Sequence, residues 1–213
     1  MKPLLLTLLL AATASAQTPA PPPFQVKVLA QSPAETTTDL QIFCLFRSLP
    51  QNALHGSLTE TDQKLHGLLQ QIRQPGLFSG DLGETLLLLV PPPGTLNARR
   101  VLIIGLGDSA TFTPDRMELV GRIAFREANR LNIAHPFFAP TILDGGVTGF
   151  ATGDVAQHVV QGFLQALSTE KLLQASHSAA PLAVQDFTFL AGAKNVPSTQ
   201  QGIDHALASA PTN

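Results

Sequence analysis

Apolar and polar positions change rhythm several times along the chain, and each change predicts an element. Residues 24–30, 40–46, 85–90, 100–105, 137–143 and 187–190 are short runs rich in Val, Ile, Leu and Phe, and they read as strands. In residues 60–73 the side chains of Leu65, Leu68, Leu69 and Ile72 fall at i, i+3, i+4 and i+7, the spacing of a helix with one apolar face. Thr59 is placed to cap that helix and Pro75-Gly76 to end it. A second helix opens at Thr113, with Pro114 at its first position, and carries Met117, Val120, Ile123, Ala124, Ala128 and Leu131 on one stripe. A third, over 154–167, turns Val155, Val159, Phe163 and Ala166 inward, and a short fourth, over 199–208, turns Ile203 and Leu207. Strands alternating with helices predict a single α/β layered domain over residues 24–210.

Two of the strand runs carry finer expectations. Leu86-Leu87-Leu88-Leu89-Val90 and Val101-Leu102-Ile103-Ile104 are unbroken by polar residues, which predicts central strands covered on both faces. Pro140 has no N–H for a ladder, so the strand over 137–143 is expected at an edge or with an irregularity.

The ends of the chain follow a different logic. Lys2, the apolar stretch over residues 4–12 and the small residues Ala14-Ser15-Ala16 make residues 1–16 an export signal, too short to span a membrane. Residues 17–23 (QTPAPPP) form an uncharged Pro-rich spacer, and residues 211–213 a short tail. The expected product is soluble, exported to a periplasmic or extracellular space, and without a membrane span after cleavage.

Composition narrows the function classes. With 44% hydrophobic and 13% charged residues the chain is globular, and its net charge of −2 without a basic block argues against a nucleic-acid partner. One cysteine, Cys44, excludes an internal disulfide framework, and its place in an apolar strand predicts an inert thiol.

Three segments stand in a telling order: Phe78-Ser79-Gly80-Asp81-Leu82-Gly83-Glu84-Thr85, then Arg100-Val101-Leu102-Ile103-Ile104-Gly105-Leu106-Gly107, then Thr113-Pro114 opening a long helix. This series resembles the N-terminal domain of the leucyl (cytosol) aminopeptidase family. The resemblance implies a three-layer macro-domain-like fold, a mixed, mostly parallel sheet flanked by helices, that serves assembly and regulation. In that family two divalent metals and the chemistry belong to a C-terminal domain. Neither its octapeptide signature nor its lysine-bearing metal stretch occurs here, so no metal ligand and no catalytic residue is carried over, and no cofactor is expected.

Two Gly-rich loops are the candidate binding elements. Gly105-Leu106-Gly107-Asp108-Ser109 follows a strand and precedes a helix, so the amides around Gly105, Gly107 and Ser109 could cradle a phosphate. A tight turn with a positive φ explains the same residues. Asp144-Gly145-Gly146-Val147-Thr148-Gly149-Phe150, with Gly145, Gly146 and Gly149, resembles the phosphate-contacting loop of ADP-ribose-binding macro domains. At one end of the sheet the two loops could form a single anion or nucleotide pocket; a plain connection is the simpler reading.

The remaining polar features read as structural. His55, His66, His135, His158, His177 and His205 show no compact metal spacing, and Ser176-His177-Ser178 reads as a polar loop. Asp81 and Glu84 read as a solvated turn, and the row Arg116, Arg122, Arg126 and Arg130 as a solvated helix face or a docking surface for an acidic partner. The leading expectation is a non-catalytic exported binding or assembly module that self-associates or binds a protein partner. The alternatives are a nucleotide, ADP-ribose or anion binder using residues 105–109 and 144–149, and a regulatory subunit of a separately encoded metallo-aminopeptidase.

Overall fold

The computed structural model describes residues 24–47, 54–73, 77–90 and 96–209. The expected export signal, the Pro-rich spacer, Pro75-Gly76 and the C-terminal tail lie outside the described residues. Six strands, β1 (Gln25–Leu29), β2 (Gln41–Leu45), β3 (Thr85–Leu89), β4 (Arg100–Gly105), β5 (Phe137–Ala139) and β6 (Asp186–Leu190), form one sheet in the order β1-β6-β5-β2-β4-β3. Neighbours are parallel except β3, which runs antiparallel to β4.

Side chains alternate across the sheet, so β2 and β4 feed both faces. Ile42, Cys44, Leu102 and Ile104 join Phe138 and Phe187 in a core under α3 (Arg116–Arg130), α4 (Thr152–Ala175) and α5 (Val196–Ala208). Phe43, Leu45, Val101 and Ile103 face the other way, toward α1 (Gly56–Lys64) and α2 (Leu68–Ile72). The result is a three-layer α/β fold with a mixed, mostly parallel sheet in the middle. Cys44 is fully buried in β2, and burial pushes its thiol pKa well above the usual range. On the three-helix face, α3 and α4 cross closely: a Cβ on Gly121 would lie 2.1 Å from the Val159 carbonyl oxygen, and one on Gly162 2.2 Å from that of Glu118. Only glycine permits that approach.

Four expectations need correction. β3 is an edge strand, not a central one: Leu86 and Leu88 pack on the two-helix face while Leu87 and Leu89 are exposed. An apolar run of five cannot distinguish two covered faces from one. β5 lies between β6 and β2, so the edge alternative fails, while the strand's stop at Ala139 just before Pro140 is the irregularity that was the other expectation. The helix expected over 60–73 is two helices broken at His66 (φ 56°) and Gly67 (φ 78°), and Thr59 lies inside the first of them. The second helix begins at Arg116, after a turn in which the Arg116 N–H bonds to the Thr113 carbonyl at 3.1 Å, so Pro114 precedes it. The third and fourth helices match in place but are longer, reaching Ala175 and starting at Val196.

Candidate functional site

β5 stops early, and the way it stops shapes the site. Proline at 140 has no N–H to offer β2, so the ladder cannot continue past Ala139. The side chain of Thr141 takes over: its hydroxyl accepts from the Cys44 N–H at 3.0 Å and donates to the Cys44 carbonyl at 2.6 Å. Thr141 is buried and adopts φ 50°, a left-handed conformation unusual for a β-branched residue. The chain then turns through residues 141–147, closed by bonds from Gly145 N–H to the Thr141 carbonyl and from Val147 N–H to the Ile142 carbonyl.

That turn walls a cavity of about 480 Å3 at the C-terminal ends of β1, β5 and β6. The other walls come from the segment after β1, the first turn of α1, the start of α4 and the loop joining β6 to α5. The lining is largely apolar, with Ile142, Val147, Phe150 and Phe189, and is punctuated by Asp144, Glu60 and Lys194. Such a volume and lining match small-molecule sites in general.

Asp144 is the most constrained polar group there. Its carboxylate accepts from the Ser57 hydroxyl, and its carbonyl accepts from the His55 N–H at 3.2 Å, so it fastens the turn to the start of α1. Gly56 makes room for it: with φ 51°, a Cβ on Gly56 would lie 2.3 Å from an Asp144 carboxylate oxygen. Burial raises the Asp144 pKa above the ordinary carboxylate range, the Ser57 hydroxyl and N–H oppose that rise, and nearby Glu60 adds to it. Glu60 in turn accepts from the Ser32 hydroxyl at 2.9 Å.

The two Gly-rich loops do lie at the same end of the sheet, after the parallel neighbours β4 and β5 of β2. Phe46, which follows β2, stands between them: its ring packs edge-on against Phe112 at 5.3 Å, and Phe112 packs against Phe150 at 5.4 Å. A Cβ on Gly145 would collide with the Phe46 ring at 2.5 Å. None of Gly105, Gly107, Ser109, Gly145, Gly146 and Gly149 lines the cavity, although Asp144, Val147 and Phe150 of the second loop do. The first loop also uses its amides internally. The Gly105 N–H bonds to the Glu84 carbonyl, that of Leu106 to Leu45 and that of Gly107, at φ 75°, to Gly80, each at 2.8 Å. Asp108 accepts from the Ala110 N–H at 2.9 Å.

Several other sequence candidates hold the fold. Glu84 caps its own turn, accepting from the Gly80 N–H at 2.8 Å, and Asp81 pairs with Arg47. Within the arginine row, Arg122 bridges Glu118 at 3.0 Å and Gln165 of α4 at 2.7 Å, Arg130 pairs with Glu127, and Arg126 is exposed. Among the described residues no group of three or more His, Cys, Asp or Glu is arranged to hold a metal, and no helix is long and apolar enough to cross a membrane. Sequence reasoning did not name Ser57, Glu60 or Lys194 for the cavity. The one local signal was Gly56-Ser57, small residues that open α1.

Comparison with known proteins places this geometry. The model of the cytosol aminopeptidase family N-terminal domain matches residues 43–174. A probable cytosol aminopeptidase of Roseiflexus castenholzii is 33% identical over 119 residues, 56% of this chain and 21% of that protein. One from Thermosynechococcus vestitus is 28% identical over 137 residues, 62% of this chain and 25% of that protein. The chain thus spans about a quarter or less of the length of these relatives. Among solved structures, a mutant of tomato leucine aminopeptidase superposes with a TM-score of 0.67 at 18% identity, covering 89% of this chain and 36% of that one. A macrodomain of Trypanosoma brucei in complex with ADP gives 0.55 at 16% identity, covering 84% and 69%. At such identities the structural likeness speaks for the fold.

Proposed function

This chain belongs to the cytosol aminopeptidase family, whose N-terminal domain it carries, and we propose that it works by binding and not by catalysis. In this reading it is an exported, non-catalytic module whose binding element is the cavity at the C-terminal ends of β1, β5 and β6. The cavity itself carries the reading: about 480 Å3, largely apolar, with one half-buried carboxyl held in place by Ser57 and Gly56. The pattern of residues 1–16 supports export. The test is thermal unfolding against amino acids, small peptides, ADP-ribose, ADP, phosphate and divalent metals. A ligand at 100 times its dissociation constant adds about 2.7 kcal/mol, a shift of several degrees for a domain of this size. The purified chain is expected to release no product from aminoacyl substrates; release that survives purification to homogeneity overturns the reading.

A second reading, a nucleotide or ADP-ribose binder, is supported by the fold shared with a macrodomain that binds ADP. The internally bonded amides of Gly105, Leu106 and Gly107 weigh against a phosphate at the first loop, leaving Gly146 and Gly149, beside which a Cβ would meet nothing within 4 Å, as the places to test. A saturable shift with ADP-ribose or ADP alone selects this reading. Silence across the panel turns the search to protein partners, including a separately encoded peptidase.

A further inference from the structure

The sheet has two edges, and among the described residues only one is defended. β1 carries Lys27 at its centre, paired with Asp186 of β6 at 3.5 Å, a charge of the kind that blocks edge-to-edge association. β3 reads Thr-Leu-Leu-Leu-Leu, with no charge, proline or bulge, and among the described residues no strand pairs with its outer side. Four exposed leucines, Leu77 (67%), Leu82 (40%), Leu87 (38%) and Leu89 (75%), lie on β3 or in the segment leading to it.

The ladder shows which backbone groups are free. The Val90 N–H bonds to the Arg99 carbonyl and the Gly105 N–H to the Glu84 carbonyl. With the antiparallel register between these pairs, the main-chain groups of Glu84, Leu86, Leu88 and Val90 point to β4. Those of Thr85, Leu87 and Leu89 therefore point outward.

We infer that β3 pairs antiparallel with β3 of a second copy of this chain, on a two-fold axis through Leu87. That register places Leu87 opposite Leu87 and Thr85 opposite Leu89, each pair exchanging two hydrogen bonds, and it uses every outward group of both strands. A slip by two residues leaves some of them unpaired. Side chains agree with it: Leu86 meets Leu88 on one face, and the exposed Leu87 and Leu89 meet their counterparts on the other. The charges beside the strand are partnered within the chain, Asp81 with Arg47, Arg99 with Asp39 and Glu84 with the amides of its own turn, so main chain and leucines set the register. A second copy is therefore a self-complementary occupant, and the surface lies away from the cavity residues.

The test uses the buried state of Cys44, which leaves an introduced thiol as the accessible one. Sedimentation of the full chain over the micromolar range is expected to show mass rising from one copy to two. Leu89→Lys, at an exposed site, and Leu87→Pro, whose N–H has no bond within the sheet, are each expected to hold it at one copy. With a short thiol-to-thiol crosslinker, Leu87→Cys is expected to link two copies. Thr85→Cys is not, because the two positions would be offset by ~13 Å along the strands. A chain that stays at one copy throughout, a dimer indifferent to Leu89→Lys, or equal crosslinking at both positions overturns the inference. None of these outcomes bears on ligand binding in the cavity.

Discussion

The two faces of the sheet are built by different means. On the three-helix face, long helices pack through interlocked rings: Phe163 stacks on Phe187 at 4.0 Å and meets Phe138 edge-on at 5.8 Å, with all three rings fully buried. The two-helix face is covered by helices of nine and five residues, joined at a left-handed break and held by polar contacts from Asp62 and Asp144. Dense aromatic packing supplies stability on the first face, while the cavity opens at the strand ends where the two faces meet: Ile142, Val155 and Phe189 of its lining belong to the three-helix core, Ala139 and Leu190 to the other. The contrast teaches that the cavity belongs to neither face alone: the apolar core supplies most of its wall, and the polar fastening of Asp144 to the start of α1 closes it.

The largest effect expected from this contrast is at Phe163. Phe163→Ala removes a fully buried ring from the centre of the aromatic stack and should destabilise the fold by about 3–5 kcal/mol, lowering Tm by roughly 10 °C. Calorimetry of the variant decides the point. A drop no larger than that of an exposed substitution such as Leu172→Ala would dissolve the distinction between the two faces.

A smaller effect is expected on the opposite face. Asp62 is buried, and one of its carboxylate oxygens accepts from the Leu69 N–H at 2.8 Å and the Gln70 N–H at 3.3 Å, capping α2 where the cap residue itself, Gly67, offers no side chain. Asp62→Ala should destabilise by about 1–2 kcal/mol, and Asp62→Asn by much less, because both acids and amides cap well. Equal losses in the two variants, measured by chemical denaturation, would show that the carboxylate charge matters more than the cap.

How much of this was legible in the residues follows the same division. All six strands were readable because short β-rich runs between turn residues leave little choice, and the α3 stripe of Met117, Val120, Ala124 and Ala128 is buried as spaced. Burial on one face or two was not readable for Leu86 to Val90, since neighbour order in a sheet is set by connections far away in sequence. The break at His66-Gly67 was hidden because the apolar spacing continues across it, and only the cap from Asp62 reveals why two helices win over one. At the site, glycines marked both loops, but whether an amide is free depends on carbonyls from β2 and from residues 80–84. The cavity draws on residues 30–33, 56–60, 139–155 and 189–199, a convergence that periodicity cannot express.

The finest distinction concerns pH, and it separates the polar face from the apolar one. Burial raises the Asp144 pKa in the folded chain above its value when unfolded. The folded state therefore keeps this proton to higher pH, so its contribution to stability is complete below the ordinary carboxylate range and is lost as pH rises through that range to the folded value. Asp144→Asn keeps an oxygen to accept from Ser57 but removes the titration. Measured against the native chain, the variant is expected to gain in Tm between pH 4 and neutrality, by a margin smaller than the Asp62→Ala loss. Phe163→Ala, with no titrating group, should show a loss independent of pH over the same interval. A native-minus-variant difference that is flat for Asp144→Asn would mean that the carboxyl is solvated in the folded chain and that the cavity wall it forms is open to water.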